Sequence, residues 1–459
     1  MSKHKITFIG GGSYQWVPVL FRDLAVNPHL QNAEFVLHDI HPGRNAELAG
    51  ICRIIAGKLI SSVKVTAESD INKALAGAEA VILCISTGGL EAMEHDIEIP
   101  KKYGIYQPVG DSTGPGGISR TLRNVPVVTG LANLMEKLCP DAWLLNLSNP
   151  MGQIVRAIKK TSPIKVVGLC HEYMAFMDKV ENLLGLEDWK RETSATIAGI
   201  NHFAWITRLV IKGKDGLEIL SEHLVAHQSP SAKNGASLVN LSETLSGDRV
   251  KWELFKIYGA LPYPGDRHLV EFFPHFLSDK TAHGGDFGVQ LTSIEDRRTT
   301  WMDLFTNRIA EWTNDDPNSI PRKPSNESLV PILAALLEGV PTIQPATLPN
   351  EGQVSNLPTG ACVETLTTFE RDAIAPHASG SLPDSVLALV HKHCLTQELT
   401  VDGAISGDRT KILQAMIADP LFNNNDFREV SQMLNELLEA NADLLPQFSR
   451  CQKTVLQAA

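Results

Sequence analysis

No stretch of this 459-residue chain approaches the apolar length needed to cross a bilayer, and Met1-Ser2-Lys3-His4-Lys5 runs into a strand-like segment without the apolar core of an export signal. The expectation is a cytoplasmic protein with no membrane partner. Runs rich in Lys and Arg are missing too. With 41 basic against 52 acidic side chains the formal net charge is -11, and a nucleic-acid partner, which needs a clustered positive footprint, is excluded. Seven cysteines, scattered and odd in number, fit reduced thiols rather than a disulfide framework. Repeats and low-complexity tracts are also lacking. What is left is ordinary globular material, 43% hydrophobic and 20% charged, on a chain too long for one ordinary core.

Residues 5–9 read as a strand, and Gly10-Gly11-Gly12-Ser13 turns it into a helix expected over 17–25. Glycines there let the backbone approach a pyrophosphate while the helix N-terminus supplies amide donors. The G-x-G-x-x-G template is incomplete, because Gln15 stands where the third glycine would be. A second strand ends in Asp39, an acid suited to both ribose hydroxyls of NAD. Helices at 44–59 and 71–76 then alternate with strands at 63–66 and 80–85, and further strands follow at 142–147 and 166–169. This rhythm predicts an α/β protein: an N-terminal Rossmann-type doubly wound parallel sheet over residues 1–175, and a C-terminal α+β domain over 176–459 that completes the site. The cofactor contacts expected are Gly10, Gly12, Ser13, Asp39, Thr87 and Asn146. Residues 110–118 read as a glycine-rich loop around Asp111, closely approached by a ligand, with a helix from about Ser119. A surface loop is expected over 229–236, and 261–268 hold too many breakers for a helix.

The strand at 166–169 delivers Cys170, His171 and Glu172 at its C-terminal end, where open parallel sheets bind ligands. Asn201-His202 follows about thirty residues later, between two β-rich runs. A thiolate and an imidazole are competent ligands for a divalent transition ion, and two protein ligands leave positions open for substrate and water. Cys170 and His202 are therefore the metal-ligand candidates. The competing reading is a small buried thiol and a satisfied imidazole.

Taken together, Gly10-Gly11-Gly12-Ser13, the run from Ile99 through Gly110-Asp111-Ser112-Thr113-Gly114-Pro115-Gly116-Gly117, Asn146-Leu147-Ser148-Asn149-Pro150, Cys170-His171-Glu172, Asn201-His202 and Val354-Ser355-Asn356-Leu357-Pro358 resemble glycoside hydrolase family four, whose members need NAD and a metal. The resemblance implies that Cys170 and His202 hold a divalent ion, most often manganese. It also implies a redox route: NAD+ takes the hydride from C3 of the sugar, the ketone acidifies the C2 proton, a base removes it, C1 loses its substituent, water adds and the hydride returns. On this footing Asp266 is the base, Tyr263 stands in reserve, and Asp111 has a leaving-group or metal-shell role. Asn149, His171, Glu172, Asn201 and Arg267 are the substrate contacts. Cys-His-Glu looks like the α-galacturonidase branch, whereas Tyr173 departs from it and keeps α-glucuronidase, α-galactosidase and α-glucosidase open. A uronate carboxylate needs a cation, for which Arg267, Arg120 and Lys102 are candidates. The resemblance also implies a homodimer or homotetramer. Outside the family, the rivals are an NAD-dependent 2-hydroxyacid dehydrogenase and a non-catalytic NAD-sensing module.

Overall fold

Short apolar strands buried on both faces build the centre of the molecule, and the computed structural model describes them within residues 4–226 and 247–448. The loop expected over 229–236 and Cys451 lie outside those residues. Six strands, β1 (His4–Ile9), β2 (Ala33–His38), β3 (Lys64–Ala67), β4 (Ala80–Leu83), β5 (Trp143–Asn146) and β6 (Lys165–Gly168), pair in parallel in the order β3-β2-β1-β4-β5-β6. Alternate side chains leave opposite faces of the sheet. Ile6, Phe8, Ile82, Leu145 and Val167 pack against Phe21, Leu24, Leu48 and Ile55 of the Val17–Val26 and Pro42–Leu59 helices. Val81, Leu83, Leu144 and Val166 pack against Val128, Met135, Ile154 and Ile158 of the Gly114–Leu138 and Met151–Thr161 helices. This is the doubly wound order, which opens a crevice at the carboxyl ends of the strands.

A second, antiparallel sheet holds β7 (Thr193–Ile200), β8 (Phe203–Ile211), β9 (Lys214–Asp215) and β10 (Leu261–Pro262). The chain then returns to the first sheet. Strands β11 (Thr342–Pro349), β12 (Cys362–Glu370) and β13 (Ala373–Pro376) continue it antiparallel beyond β6, giving nine strands in all. Sequence from beyond residue 340 thus covers the edge of the sheet laid down by the first 168 residues. No helix among the described residues is long and apolar enough to cross a membrane.

Two local expectations are corrected. The long helix begins at Gly114, not near Ser119. A Cβ on Gly116 would sit 2.7 Å from the Gly110 carbonyl oxygen, and one on Gly117 would sit 2.5 Å from the Ser112 carbonyl carbon. These glycines therefore let the first helical turn close onto its own leading loop. The second correction is at residues 266–269, which form one helical turn, Asp266–Leu269, because Pro264-Gly265 ends just before it and leaves its amides free to pair.

Candidate active site

The glycine turn after β1 is packed as its sequence requires. Gly10 has φ +99°, and a Cβ there would lie 1.9 Å from the Cys84 carbonyl oxygen. The N–H groups of Gly10 and Gly11 both donate to the His38 carbonyl (2.9 and 2.8 Å), and the Gly12 N–H donates to Asp39 Oδ2 at 2.8 Å. Asp39 is thus held against the turn at the end of β2. Ser13 Oγ accepts from Trp16 N one residue before the Val17–Val26 helix. A turn without side chains, with an acid on its rim, fits a dinucleotide. Thr87, after β4, presents its carbonyl to Arg123 Nε at 2.8 Å. Asn146 is fully buried and its amide folds back on Ser148, donating to the carbonyl and accepting from the N–H. Its side chain shapes the loop after β5.

Next to these strand ends, donor atoms of Asp111, His202 and His268 all lie within 4.8 Å of one another. Each comes from a different device. Asp111 precedes the Gly114–Leu138 helix, His202 occupies the two-residue tip between β7 and β8, and His268 lies in the short turn from Asp266 to Leu269. His202 has φ +62°, a left-handed conformation that costs a non-glycine residue about 1–3 kcal/mol and gathers at functional sites. Its ring stacks on that of His268 with centroids 3.6 Å apart. Its Nδ1 lies 2.6 Å from Ser112 Oγ, and that hydroxyl donates to Asp111 Oδ1 at 2.8 Å. Asn149 Nδ2 donates to Asp111 Oδ2 at 2.9 Å.

Burial, reinforced by His268, pushes His202 down to about 4, and burial with the nearby Arg267 does the same to His268. Both rings are therefore neutral at pH 7 and keep a lone pair for a ligand. Burial opposes ionisation of Asp111, but the two rings and Arg120 outweigh it and hold its carboxyl below the usual carboxylate range. His268 Nδ1 is buried with no hydrogen-bond partner. Two neutral imidazoles, one of them with an orphaned ring nitrogen, and one carboxylate suit a divalent transition ion.

Cys170 is not one of these three. Burial, then Glu364 and Glu172, push its thiol well up, with Asn201 easing the shift. Glu364 of β12 organises this second group. It accepts from Tyr263 Oη at 2.5 Å, Asn201 Nδ2 at 3.1 Å and Thr347 Oγ1 at 3.0 Å. Glu172 links the two groups, with Oε2 accepting from Gly265 N at 2.5 Å and Oε1 lying 3.7 Å from His268 Nε2. Asp266 turns both carboxylate oxygens to the N–H groups of Val250 (2.8 Å) and Lys251 (3.0 Å), at the start of the Arg249–Tyr258 helix. His171 faces Glu327 at 3.8 Å and the Trp16 ring. Arg267 Nη2 donates to the Pro108 carbonyl at 2.8 Å and to Thr292. Arg120 donates to Asn149 O and Ser86 Oγ, both at 3.1 Å, whereas Lys102 pairs with Glu436 away from the site.

His268, Glu271 and Glu364 are among the residues that escape the sequence reading. Glu271 accepts from Val109 N at 2.7 Å and Gly110 N at 2.8 Å, which fixes the loop carrying Asp111. His268 directly follows two candidates, Asp266 and Arg267, and that adjacency was the available signal. Glu364 lies in a threonine-rich strand with no motif around it, and nothing local marks it.

The descriptions "Family 4 glycosyl hydrolase" and "Family 4 glycosyl hydrolase C-terminal domain" match residues 5–186 and 197–422. An α-galacturonidase of Bacillus subtilis is 34% identical over 443 residues, covering 95% of this chain and 97% of the relative. An α-galactosidase of the same organism is 30% identical over 451 residues, covering 97% and 99%. Among solved structures, lplD from Bacillus subtilis superimposes with a TM-score of 0.82 at 32% identity, covering 95% of this chain and all of the other. A 6-phospho-α-glucosidase from gut microorganisms, solved with NAD and Mn2+, gives a TM-score of 0.80 at 18% identity over 97% and 99%, a likeness of fold. With both halves matched in order and relatives at this identity aligned almost end to end, the chain belongs to glycosyl hydrolase family 4.

Proposed function

We propose that this chain hydrolyses an α-linked galacturonide, using a recycled NAD+ and a divalent ion, manganese first. The observation that carries the reading is the Asp111, His202 and His268 donor group, tied through Asn149 and Arg120 to the loops after β5 and β4. Likeness to the α-galacturonidase supports the uronide; likeness to the α-galactosidase keeps a neutral hexoside as the second reading. When bound, the nicotinamide accepts and returns a hydride while the ion polarises a sugar oxygen, which makes the proton on the adjacent carbon removable by a modest base.

The chain's own residues then have distinct tasks. His202 and His268 hold the ion through neutral ring nitrogens and Asp111 through an ionised oxygen, with a leaving-group contact as its alternative role. Cys170 is the further ligand, and its thiol joins only by losing its proton. Gly10, Gly12, Ser13, Asp39, Thr87 and Asn146 form or support the cofactor crevice. Asn149, His171, Glu172, Asn201 and Arg267 surround the donor group and orient the sugar. Asp266 is the proposed proton acceptor, because burial lifts its carboxyl to about 6, close to the pH at which a general base works best. Tyr263, bonded to Glu364, is the reserve. The six free cysteines among the described residues support a cytoplasmic setting, and we place the enzyme there as a homodimer or homotetramer.

A panel of p-nitrophenyl α-galacturonide, α-glucuronide, α-galactoside and α-glucoside, with oligogalacturonides, tests the substrate in the presence of NAD+ and Mn2+. The galacturonides are expected to be cleaved fastest, with turnover lost on adding chelator or removing NAD+ and no net NADH formed. Turnover that survives complete removal of NAD+ overturns the redox route, and NADH accumulating mole for mole with product indicates a dehydrogenase. For the base, Asp266→Asn is expected to lower kcat by ~100-fold or more and to cost about 1–2 kcal/mol of stability through one lost charge-assisted hydrogen bond. A variant with a lower urea midpoint but unaltered kcat leaves Asp266 as a helix cap alone.

A further inference from the structure

Two guanidinium groups beside the donor group have no anion of their own. Arg267 lies one residue before His268. Arg297 comes from the short Ile294–Arg298 helix, which a reciprocal cap between Ser293 and Asp296 fixes in place. Both lie over one indole: Arg297 Cζ is 4.6 Å and Arg267 Cζ 5.9 Å from the centroid of the Trp301 ring. The Nε atoms of both are buried without a hydrogen-bond partner. Neither arginine forms an ion pair among the described residues. Glu271 and Asp111 attract them from further off, but those carboxylates already hold Val109 N, Gly110 N, Gln107, Ser112 and Asn149.

Burying like charges together without a counterion is unfavourable. Burial, then Arg267, push Arg297 down to about 10 although Asp111 opposes this. The arrangement makes sense with an anion on the fork of Arg297, since a planar carboxylate can accept two parallel N–H bonds from a guanidinium, while Arg267, whose Nη2 already donates to Pro108 and Thr292, adds its charge and its unpaired Nε.

We propose that Arg297 and Arg267, both lying over Trp301, receive the carboxylate of a uronic acid whose ring lies at the Asp111, His202 and His268 donor group, with Arg297 deciding for the uronide against the neutral hexoside. The inference rests on the hydrolase reading only for the placement of the sugar ring. Arg267 was a candidate from sequence; Arg297, thirty residues later on a separate element, enters through the structure. A sugar phosphate shares the negative charge but not the planar shape, and is distinguished experimentally.

The test is calorimetric binding of D-galacturonate, D-galactose and D-galactose 6-phosphate to the full-length protein with NAD+ and Mn2+, using wild type, Arg297→Gln and Arg297→Lys. Wild type is expected to prefer galacturonate to both others. Arg297→Gln should reduce the preference for galacturonate over galactose by roughly tenfold to a hundredfold, the range expected for a charge-assisted hydrogen bond, and Arg297→Lys should fall between. Each preference is a ratio within one preparation, so a misfolded fraction cancels. A wild type that favours the phosphate or galactose overturns the proposal, as does a ratio unmoved in Arg297→Gln. If galacturonate binds through Arg297 yet no uronide is cleaved, the galacturonidase reading fails and this inference stands. If uronides are cleaved with an unmoved ratio, this inference alone fails.

Discussion

Replacing His202 by alanine is expected to lower kcat by ~1,000-fold or more and to release the bound divalent ion. Electrophilic stabilisation by such an ion is worth several kcal/mol, and each 1.36 kcal/mol of barrier is tenfold in rate. His202 is the informative position because it is shared by two ligand sets. The sequence pairs it with Cys170, while the structure draws it together with Asp111 and His268 within 4.8 Å. Metal analysis on Cys170→Ser and His268→Ala then separates them, since the side chain whose removal empties the protein of metal is a ligand. Steady-state kcat and metal content measured on the same preparations check the prediction. A His202→Ala protein that keeps both its ion and its turnover refutes either set. The strained backbone at φ +62° sharpens the contrast with a structural role, because alanine there gives up the ring and keeps the strain.

The largest expected loss of stability lies elsewhere. Asp96→Ala is expected to cost about 3–5 kcal/mol, the usual penalty for leaving one member of a buried ion pair alone. Asp96 and Arg123 are both fully buried and joined by two parallel hydrogen bonds, Nη1 to Oδ1 at 2.8 Å and Nη2 to Oδ2 at 2.5 Å. The third donor, Nε, holds the Thr87 carbonyl, so the pair anchors the loop after β4 to two helices, Gly89–Lys101 and Gly114–Leu138. Urea unfolding measures the loss. The double variant Asp96→Leu with Arg123→Met removes both charges and should recover most of the midpoint. Equal destabilisation in the single and double variants would show that packing rather than the stranded charge is responsible.

Local pattern carried a large part of the fold. Most strands of the first half are short and largely apolar and end at a glycine or a polar residue, and Gly10, Gly12 and Asp39 meet in space because β1 and β2 are neighbours in chain and in sheet. The later strands of that sheet were hidden by composition. Pro345 and Pro349 break up β11, and the threonines of β12 place polar groups where a core strand would show apolar ones. Gly114-Pro115-Gly116-Gly117 hid a helix start for a related reason: the glycines answer to tight packing on residues 110–112, which no local propensity records. Of the site, the residues at strand ends were legible, and those defined by long-range convergence were not. His202 and His268 are separated by 66 positions and stack ring on ring, a relation set by the second sheet and the turn after Gly265. Asp266 is identifiable as an acid in a turn, but only the fold reveals that its oxygens close the amide end of a helix sixteen residues earlier.

The sheet that runs on from β6 into β11, β12 and β13 bears on how this enzyme can be taken apart. A fragment ending after the first matched segment, near residue 186, would lose β11, which pairs with β6 at Gly168, and leave β6 as an uncovered edge strand that invites clumping with its own copies. The same cut would strip Glu172 from Gly265 and His268, and Ser112 from His202. Nucleotide grip and sugar chemistry are thus woven on one loom, and neither half is a module to be lent out by itself.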